Sequence, residues 1–211
     1  IVIMPGDPVR AKLIADKFNL MYINTGSMYR AVTLEAIDKG IESSNIEGLC
    51  SLIDEMNISF SGEKLLLNGE DINYKLSLPQ IAQKVPVYAE VPEVRSRLIK
   101  LQQKMSEQND VIMDGKDIGT VVLKNAKFKF FLTASPEKRA MRRFKELTQK
   151  GIKVEYDRIL QDIIQRDYMD TNRKVGPLIK AEDAIEIDTS EMTISEVAEK
   201  ICTYINNKVD E

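Results

Sequence analysis

The chain has 211 residues, 43% hydrophobic and 30% charged, with a net charge of −3. That length holds one sizeable core, or a core with small insertions, and the charge argues against a broad nucleic-acid or membrane surface, although local basic clusters can bind phosphates. There is no histidine, which excludes histidine triads and histidine metal sites and leaves carboxylates, Lys, Arg, hydroxyls, thiols or a bound ion to do any chemistry.

Ile1–Ile3 reads as a strand, Pro5-Gly6-Asp7-Pro8 as a turn, and Asp7 as an N-cap ahead of proline at the first helical position. An amphipathic helix follows from about Val9 to Phe18, with Leu13, Ile14 and Phe18 inward. A strand, turn and helix is where a phosphate-binding loop would lie, but Gly-x-x-x-x-Gly-Lys-Ser/Thr is not present. Taken alone, these residues fit an ordinary capped turn better.

Leu20–Ile23 is a second strand, leading through Asn24-Thr25-Gly26-Ser27 into a helix that runs to about Lys39. Thr25 or Ser27 is the expected cap. Tyr29 and Arg30 fall in the first turn, where the helix dipole disfavours a cation. Arg30 therefore has an anionic partner or is a solvated surface residue. Ile46–Met56 is another helix. Asn57–Phe60 and Lys64–Leu67 form a hairpin around Ser61-Gly62-Glu63, with a further turn at Asn68–Asp71. This small β unit interrupts an otherwise alternating pattern and reads as an insertion beside the main sheet. Pro79, Pro86 and Pro92 punctuate its return. A long helix from Pro92 to about Gln108 carries Arg95 and Arg97.

Val111–Met113 is a buried strand, and it ends in Asp114, Gly115, Lys116 and Asp117. Ligands of open α/β sheets sit just past the carboxyl ends of the strands, so this charge either meets a ligand or forms a polar turn. Lys127–Leu132 is the next strand. A helix from about Ser135 then bears Arg139, Arg142 and Arg143, spaced to share one face. Gly151 breaks it, and a new helix begins near Glu155, so that the charged pair resembles a mobile flap. Arg166, Asp170 and Arg173 share a face if that helix persists. Asp170 then holds two guanidinium groups, or the three form a surface ion-pair ladder. Ala184–Ile187 is a fifth strand. Thr193–Asn207 closes the chain as a helix with Ile194, Val197, Ile201 and Ile205 inward.

Five strands separated by helices imply an α/β fold with a parallel sheet and helices on both faces. Thr25, Tyr29, Arg30, Asp114, Lys116 and Asp117 are then expected at one sheet edge. Many cations, two carboxylates and no histidine suit phosphoryl transfer, where catalysis is mainly positioning and charge neutralisation. The chain has two cysteines, Cys50 and Cys202, with no apparent secretory signal and no apolar run long enough for a membrane span. A reduced, cytoplasmic setting is expected.

Three stretches, Asn24–Arg30, Val111–Val122 and Arg166–Leu178, resemble bacterial cytidylate kinases, a branch of the P-loop nucleoside monophosphate kinases. The likeness covers nearly the whole chain, and the second and third stretches are quite specific. It implies a P-loop NTPase-type three-layer fold with a five-stranded parallel sheet. Residues 1–25, 91–135 and 164–211 would form the core, 26–90 a β-containing NMP-binding insertion and 136–163 a helical lid. It implies transfer of the ATP γ-phosphoryl group to CMP or dCMP with Mg²⁺, by a monomer that uses neither nucleic acid nor membrane. By position, Thr25, Tyr29, Arg30, Arg95 and Asp114 would line the CMP site, Asp114 near the sugar, with Lys116 and Asp117 by the base and phosphate. Arg166 and Arg173 would neutralise the transferring group, and Lys116 belongs with them. Asp170 would hold the sugar and orient the arginines. Arg139, Arg142 and Arg143 would close over ATP; no metal-holding residue is identified.

The sequence departs from that pattern in three places. Met4, Pro5, Gly6, Asp7, Pro8, Val9 and Arg10 occupy the ATP phosphate loop in a degenerate or incomplete form, without the Walker lysine and most glycines. The matching helix from Ala11 and a start at Ile1 rather than Met favour missing loop residues over a truly shortened loop. Lys116 replaces an arginine, which keeps the charge but loses the bidentate fork. Pro86 stands where a serine near the cytosine is frequent. The alternatives are a CMP-binding relative without turnover, or a kinase of the same fold for another small acceptor such as UMP, AMP or shikimate. The β insertion and the Arg166–Arg173 stretch count against the last.

Overall fold

A computed structural model describes residues 1–4 and 8–209. Pro5, Gly6 and Asp7 of the expected phosphate loop, and with them the Asp7 cap, lie outside the described residues. The elements in order are β1 (Val2–Met4), α1 (Pro8–Phe18), β2 (Met21–Asn24), α2 (Thr25–Asp38), α3 (Ile46–Glu55), β3 (Ile58–Ser61), β4 (Lys64–Leu67) and β5 (Glu70–Asp71). Then come α4 (Asn73–Leu76), α5 (Pro79–Ala89), α6 (Pro92–Gln108), β6 (Val111–Asp114), a π-helical turn (Ile118–Val122) and β7 (Lys129–Thr133). The chain ends with α7 (Pro136–Gln149), α8 (Tyr156–Asn172), β8 (Ile185–Asp188) and α9 (Ile194–Val209).

The expected five-stranded sheet forms, with strand order β2-β6-β1-β7-β8 and parallel pairing of β2 with β6, β1 with β7 and β7 with β8. Parallel neighbours need crossovers, and the intervening helices supply them. A second, antiparallel sheet runs β3-β4-β5. Its third strand is Glu70–Asp71, which the sequence reading treats as a turn; Asp71 pairs with Leu66 and Glu70 with Leu67.

By packing, the chain divides into two compact units, residue 1 with 11–115 and residues 2–10 with 116–211. In the first, Ile14, Ile23, Met28, Leu49, Leu98 and Ile112 are fully enclosed. The helix α1 turns Ala11, Ile14 and Ala15 inward, whereas Leu13 is exposed and Phe18 half-buried, a correction to the expected stripe. Two alanines let α1 approach closely on a face that hydrophobicity alone assigns to larger side chains. Asn24, not Thr25 or Ser27, caps α2, its side chain accepting from the Ser27 N–H at 3.1 Å. The helix consequently starts at Thr25, and Tyr29 and Arg30 lie beyond its first turn.

In the second unit Ile3, Met4, Phe130, Val197 and Ile201 are enclosed, and Tyr204 meets Phe130 edge-on at 5.8 Å. Burial of a ring such as Phe130 contributes roughly 1.5–3 kcal/mol. Ile194 is exposed, because it opens α9 before the helix reaches the core. The π-helical turn packs on β1, where the Gly119 N–H donates to Met4 Sδ at 3.1 Å. A Cβ at Gly119 would stand 2.6 Å from Met4 Cε, so only glycine fits while Met4 keeps its place.

Lys129 opens β7 with its side chain almost wholly buried, and its ammonium donates to both Asp183 carboxylate oxygens, at 2.8 and 2.7 Å, and to the Lys124 carbonyl. That hydrogen bond holds the Asp183 carboxyl below its ordinary range. A depressed carboxylate stabilises the fold above its unfolded pKa of about 3.9 and loses that contribution as pH falls through the folded value. Asp183→Asn should therefore lower the melting temperature by a few degrees at neutral pH. The gap from the parent should close as the pH drops from about 4 toward 2, which thermal melts across that range will check.

Candidate functional site

The first unit gathers its polar groups where β2 and β6 end. In the parallel register Tyr22 lies opposite Ile112 and Asn24 opposite Asp114. Tyr22 and Asp114 thus share one face as diagonal neighbours, within reach of a long side chain. The Tyr22 hydroxyl donates to Asp114 Oδ2 at 2.7 Å, and the Thr25 hydroxyl donates to the Asp114 carbonyl at 2.9 Å. Tyr22, Thr25 and Asp114 are all buried, Asp114 being 5% exposed. The carboxylate at the end of this strand is therefore fixed through its side chain and its backbone.

Helix α2 brings two further candidates. Arg30 Nη1 donates to the Leu76 carbonyl at 2.8 Å. That carbonyl ends the short α4 and is neutral, so this contact is not the anionic partner expected from the sequence. Arg95, on α6, is 4% exposed, donates to the Ala89 carbonyl at 3.3 Å and holds its guanidinium 5.6 Å from the Tyr29 ring centre. A cation over an aromatic face is attracted by the ring quadrupole. Arg97 points elsewhere, forming an exposed two-point pair with Asp54 at 2.9 and 3.2 Å. Pro86 lies inside α5, where its missing N–H removes one helical hydrogen bond.

The second unit carries the cations. Lys116 Nζ meets Asp170 Oδ1 at 2.5 Å, and Arg166 Nε stands 3.8 Å from Asp170 Oδ2. Asp170 therefore holds Lys116 most closely, with Arg166 looser and largely exposed. The sequence reading puts Arg173 on the same helical face, but α8 ends at Asn172 and Arg173 is its extended C-cap. Gly176 at φ +56 and Pro177 turn the chain back. Arg173 donates from Nε to the Gly176 carbonyl at 2.5 Å, and the Leu178 N–H ties the turn to the Asp170 carbonyl at 2.8 Å. Burial pushes the Lys116 amine below its ordinary value; Asp170 opposes that shift, and the positive charges of Arg166 and Arg173 reinforce it. Asp117 is buried and precedes the π-helical turn, its carbonyl accepting from the Val121 N–H at 2.9 Å.

The three arginines of α7 diverge. Arg139 grips the Asp167 carboxylate with both terminal nitrogens, Nη1 to Oδ1 at 2.9 Å. Arg142 Nη2 donates to the carbonyls of Thr189, Ser190 and Met192. Arg143 pairs with Glu146 of its own helix at 2.7 Å. At the expected phosphate loop, Met4 is enclosed at the end of β1, while Pro8, Val9 and Arg10 open α1 with Arg10 buried and Val9 exposed. Lys12 pairs with Asp16 at 2.7 Å.

Tyr22, Asn24 and Asp167 are partners of candidate residues that the sequence reading passes over. Asn24 was legible as a possible cap beside Thr25. Tyr22 and Asp167 needed the strand register and the α7–α8 pairing, neither of which hydrophobic periodicity supplies.

The sequence model of the family described as "Cytidylate kinase" matches residues 6–207. A cytidylate kinase of Clostridium perfringens (strain SM101 / Type A) is 58% identical over 200 residues, spanning 95% of this chain and 92% of the relative. One from Clostridium acetobutylicum is 55% identical over 204 residues, spanning 97% and 94%. One from Clostridium tetani is 52% identical over 204 residues, spanning 97% and 90%. An uncharacterized protein from Eubacterium ventriosum shares the fold at a TM-score of 0.51 and 14% identity, with 98% of each chain covered.

The Lys116 environment can be read directly. Its amine should titrate below the ordinary lysine value of 10.5, followed by NMR of the labelled side-chain carbon. Asp170→Asn should lower that value further, because it removes the hydrogen bond and charge that keep the proton on.

Proposed function

The chain belongs to the cytidylate kinase family, and from that premise we propose that it transfers the γ-phosphoryl group of ATP to CMP or dCMP, giving ADP and CDP or dCDP. The observation that carries the reading is the pairing of Lys116 and, more loosely, Arg166 with one carboxylate, Asp170, with Arg173 close enough for its charge to act on Lys116. Phosphoryl transfer asks little covalent chemistry of a protein; it needs the two oxygens in line and the charge on the moving group neutralised. Lys116 held by a carboxylate, Arg173 held by a tight turn and a more mobile Arg166 answer that need. Asp170 keeps Lys116 from drifting toward solvent, and the Gly176 carbonyl fixes the plane of the Arg173 guanidinium.

We assign Thr25, Tyr29, Arg30, Arg95 and Asp114 to the CMP side, and the family resemblance extends that assignment to Lys116, Asp117 and Asp170. Tyr29 stacked against Arg95 offers an aromatic and cationic surface to a base, and Arg30 offers charge to a phosphate. ATP enters as its Mg²⁺ complex, the ion held mainly by phosphate oxygens and water, as is usual for this cation. Residues 26–90 form the acceptor insertion and 136–163 the lid. In support, the part of α8 within the lid, residues 156–163, has no buried side chain, and a segment with little apolar burial opens at low cost. The exposed ion pair of Arg143 contributes little stability, so it can exchange to phosphate, and Arg139 can do so by giving up its two-point grip on Asp167. Arg142, holding three carbonyls, stays with residues 189–192. The reading includes a monomeric, cytoplasmic enzyme acting on free nucleotides without nucleic acid or membrane.

Steady-state ADP formation with CMP, dCMP, UMP and AMP as acceptors tests the proposal; CMP or dCMP should lead, and a faster rate with UMP or AMP would overturn it. Arg173→Met should cut kcat by about 10²–10³-fold, with a smaller change in KM for CMP, because a charge-neutralising group acts mainly in the transition state. Lys116→Arg should retain activity and move the alkaline decline of kcat/KM upward, since arginine stays charged where a buried lysine loses its proton.

A further inference from the structure

Tyr22 lies in the interior of β2 and has no part in the function proposed above. Its ring is buried, which suits any aromatic strand residue, but its hydroxyl is not idle. It donates to Asp114 Oδ2 at 2.7 Å, between two buried side chains on adjacent parallel strands. A phenylalanine would satisfy packing at this position; what the oxygen adds is the hydrogen bond to Asp114. That partner closes β6 and is the acidic residue assigned to the acceptor. On its other side the Asp114 carbonyl takes the Thr25 hydroxyl at 2.9 Å, and Thr25 begins the helix that carries Tyr29 and Arg30.

We propose that Tyr22 is a positioning residue for the acceptor site, setting the orientation of the Asp114 carboxylate through its buried hydroxyl. The inference rests on the kinase reading above. A hydrogen bond to an ionised carboxylate is stronger and shorter than a neutral one, and the short contact fits that class. Oδ2 accepts the Tyr22 hydroxyl from the adjacent strand, so turning the carboxylate about its Cβ–Cγ bond breaks that contact. Together with the Thr25 contact this fixes side chain and backbone of Asp114 in one arrangement before substrate arrives, as a preorganised site requires. Neither contact involves a segment that must close.

The test is a double-mutant cycle on the full chain, with Tyr22→Phe, Asp114→Asn and the double variant assayed for CMP turnover. Tyr22→Phe removes one oxygen and should leave the melting transition cooperative. It should lower kcat/KM for CMP by about 10- to 100-fold in the parent. In the Asp114→Asn background it should cost less than about threefold, because the group it orients is already neutral. A purely structural tyrosine would lower activity equally in both backgrounds, and that result, or an unchanged Tyr22→Phe enzyme, would overturn the proposal while leaving the kinase reading intact. A parent chain that is folded but does not turn over CMP would remove the kinase reading and this inference with it.

Discussion

Burying a lysine costs free energy unless a counter-charge meets it. Lys116 is met by Asp170 at 2.5 Å, and much of the second unit is arranged so that this contact can exist. The strand β6 ends in Asp114 and the chain passes through Gly115, which leaves Lys116 at the start of the segment that winds into the π-helical turn. Asp170 comes from the last turn of α8, just where the helix stops and Arg173 folds back on Gly176. Were α8 to continue, Arg173 would leave the turn that now holds its guanidinium. Helix end and charge placement thus coincide, and beyond the extended Arg173 a glycine in the left-handed region and a proline keep the chain in the turn.

The first unit solves a different problem with similar means. A buried carboxylate, that of Asp114, takes a tyrosine hydroxyl, and the backbone carbonyl of the same residue takes a threonine hydroxyl. The same few residues also start a helix, since Asn24 caps α2 immediately before Thr25. That junction joins Asp114, through the Thr25 hydroxyl, to the start of the helix that carries Tyr29 and Arg30. Lys116 lies in the other unit, where Asp170 restrains a flexible ammonium that lacks arginine's planar fork.

Much of this was legible beforehand. The alternation of short apolar runs and helices announced the parallel sheet, and Pro92 and Gln108 bound α6 as read. The residue types around Asp114 and Asp170 pointed to phosphate chemistry because few other reactions use that mixture without histidine. What stayed hidden depended on partners distant in sequence. Leu13 reads as core by hydrophobicity, yet small alanines take the inner face of α1. Arg139, Arg142 and Arg143 share a helical spacing, but their contacts are set by Asp167, by the carbonyls after β8 and by Glu146 in turn. Lys116 as the closest partner of Asp170 could not be read from spacing, since the two are far apart in the chain.

The central claim is that these cations act on a phosphoryl group moving to a cytidine monophosphate. The most direct measurement follows ATP labelled at its γ-phosphorus in the presence and absence of CMP. The account predicts label in CDP, none released as free phosphate beyond background, and no transfer without CMP. Tight CMP binding with the label remaining on ATP would contradict it.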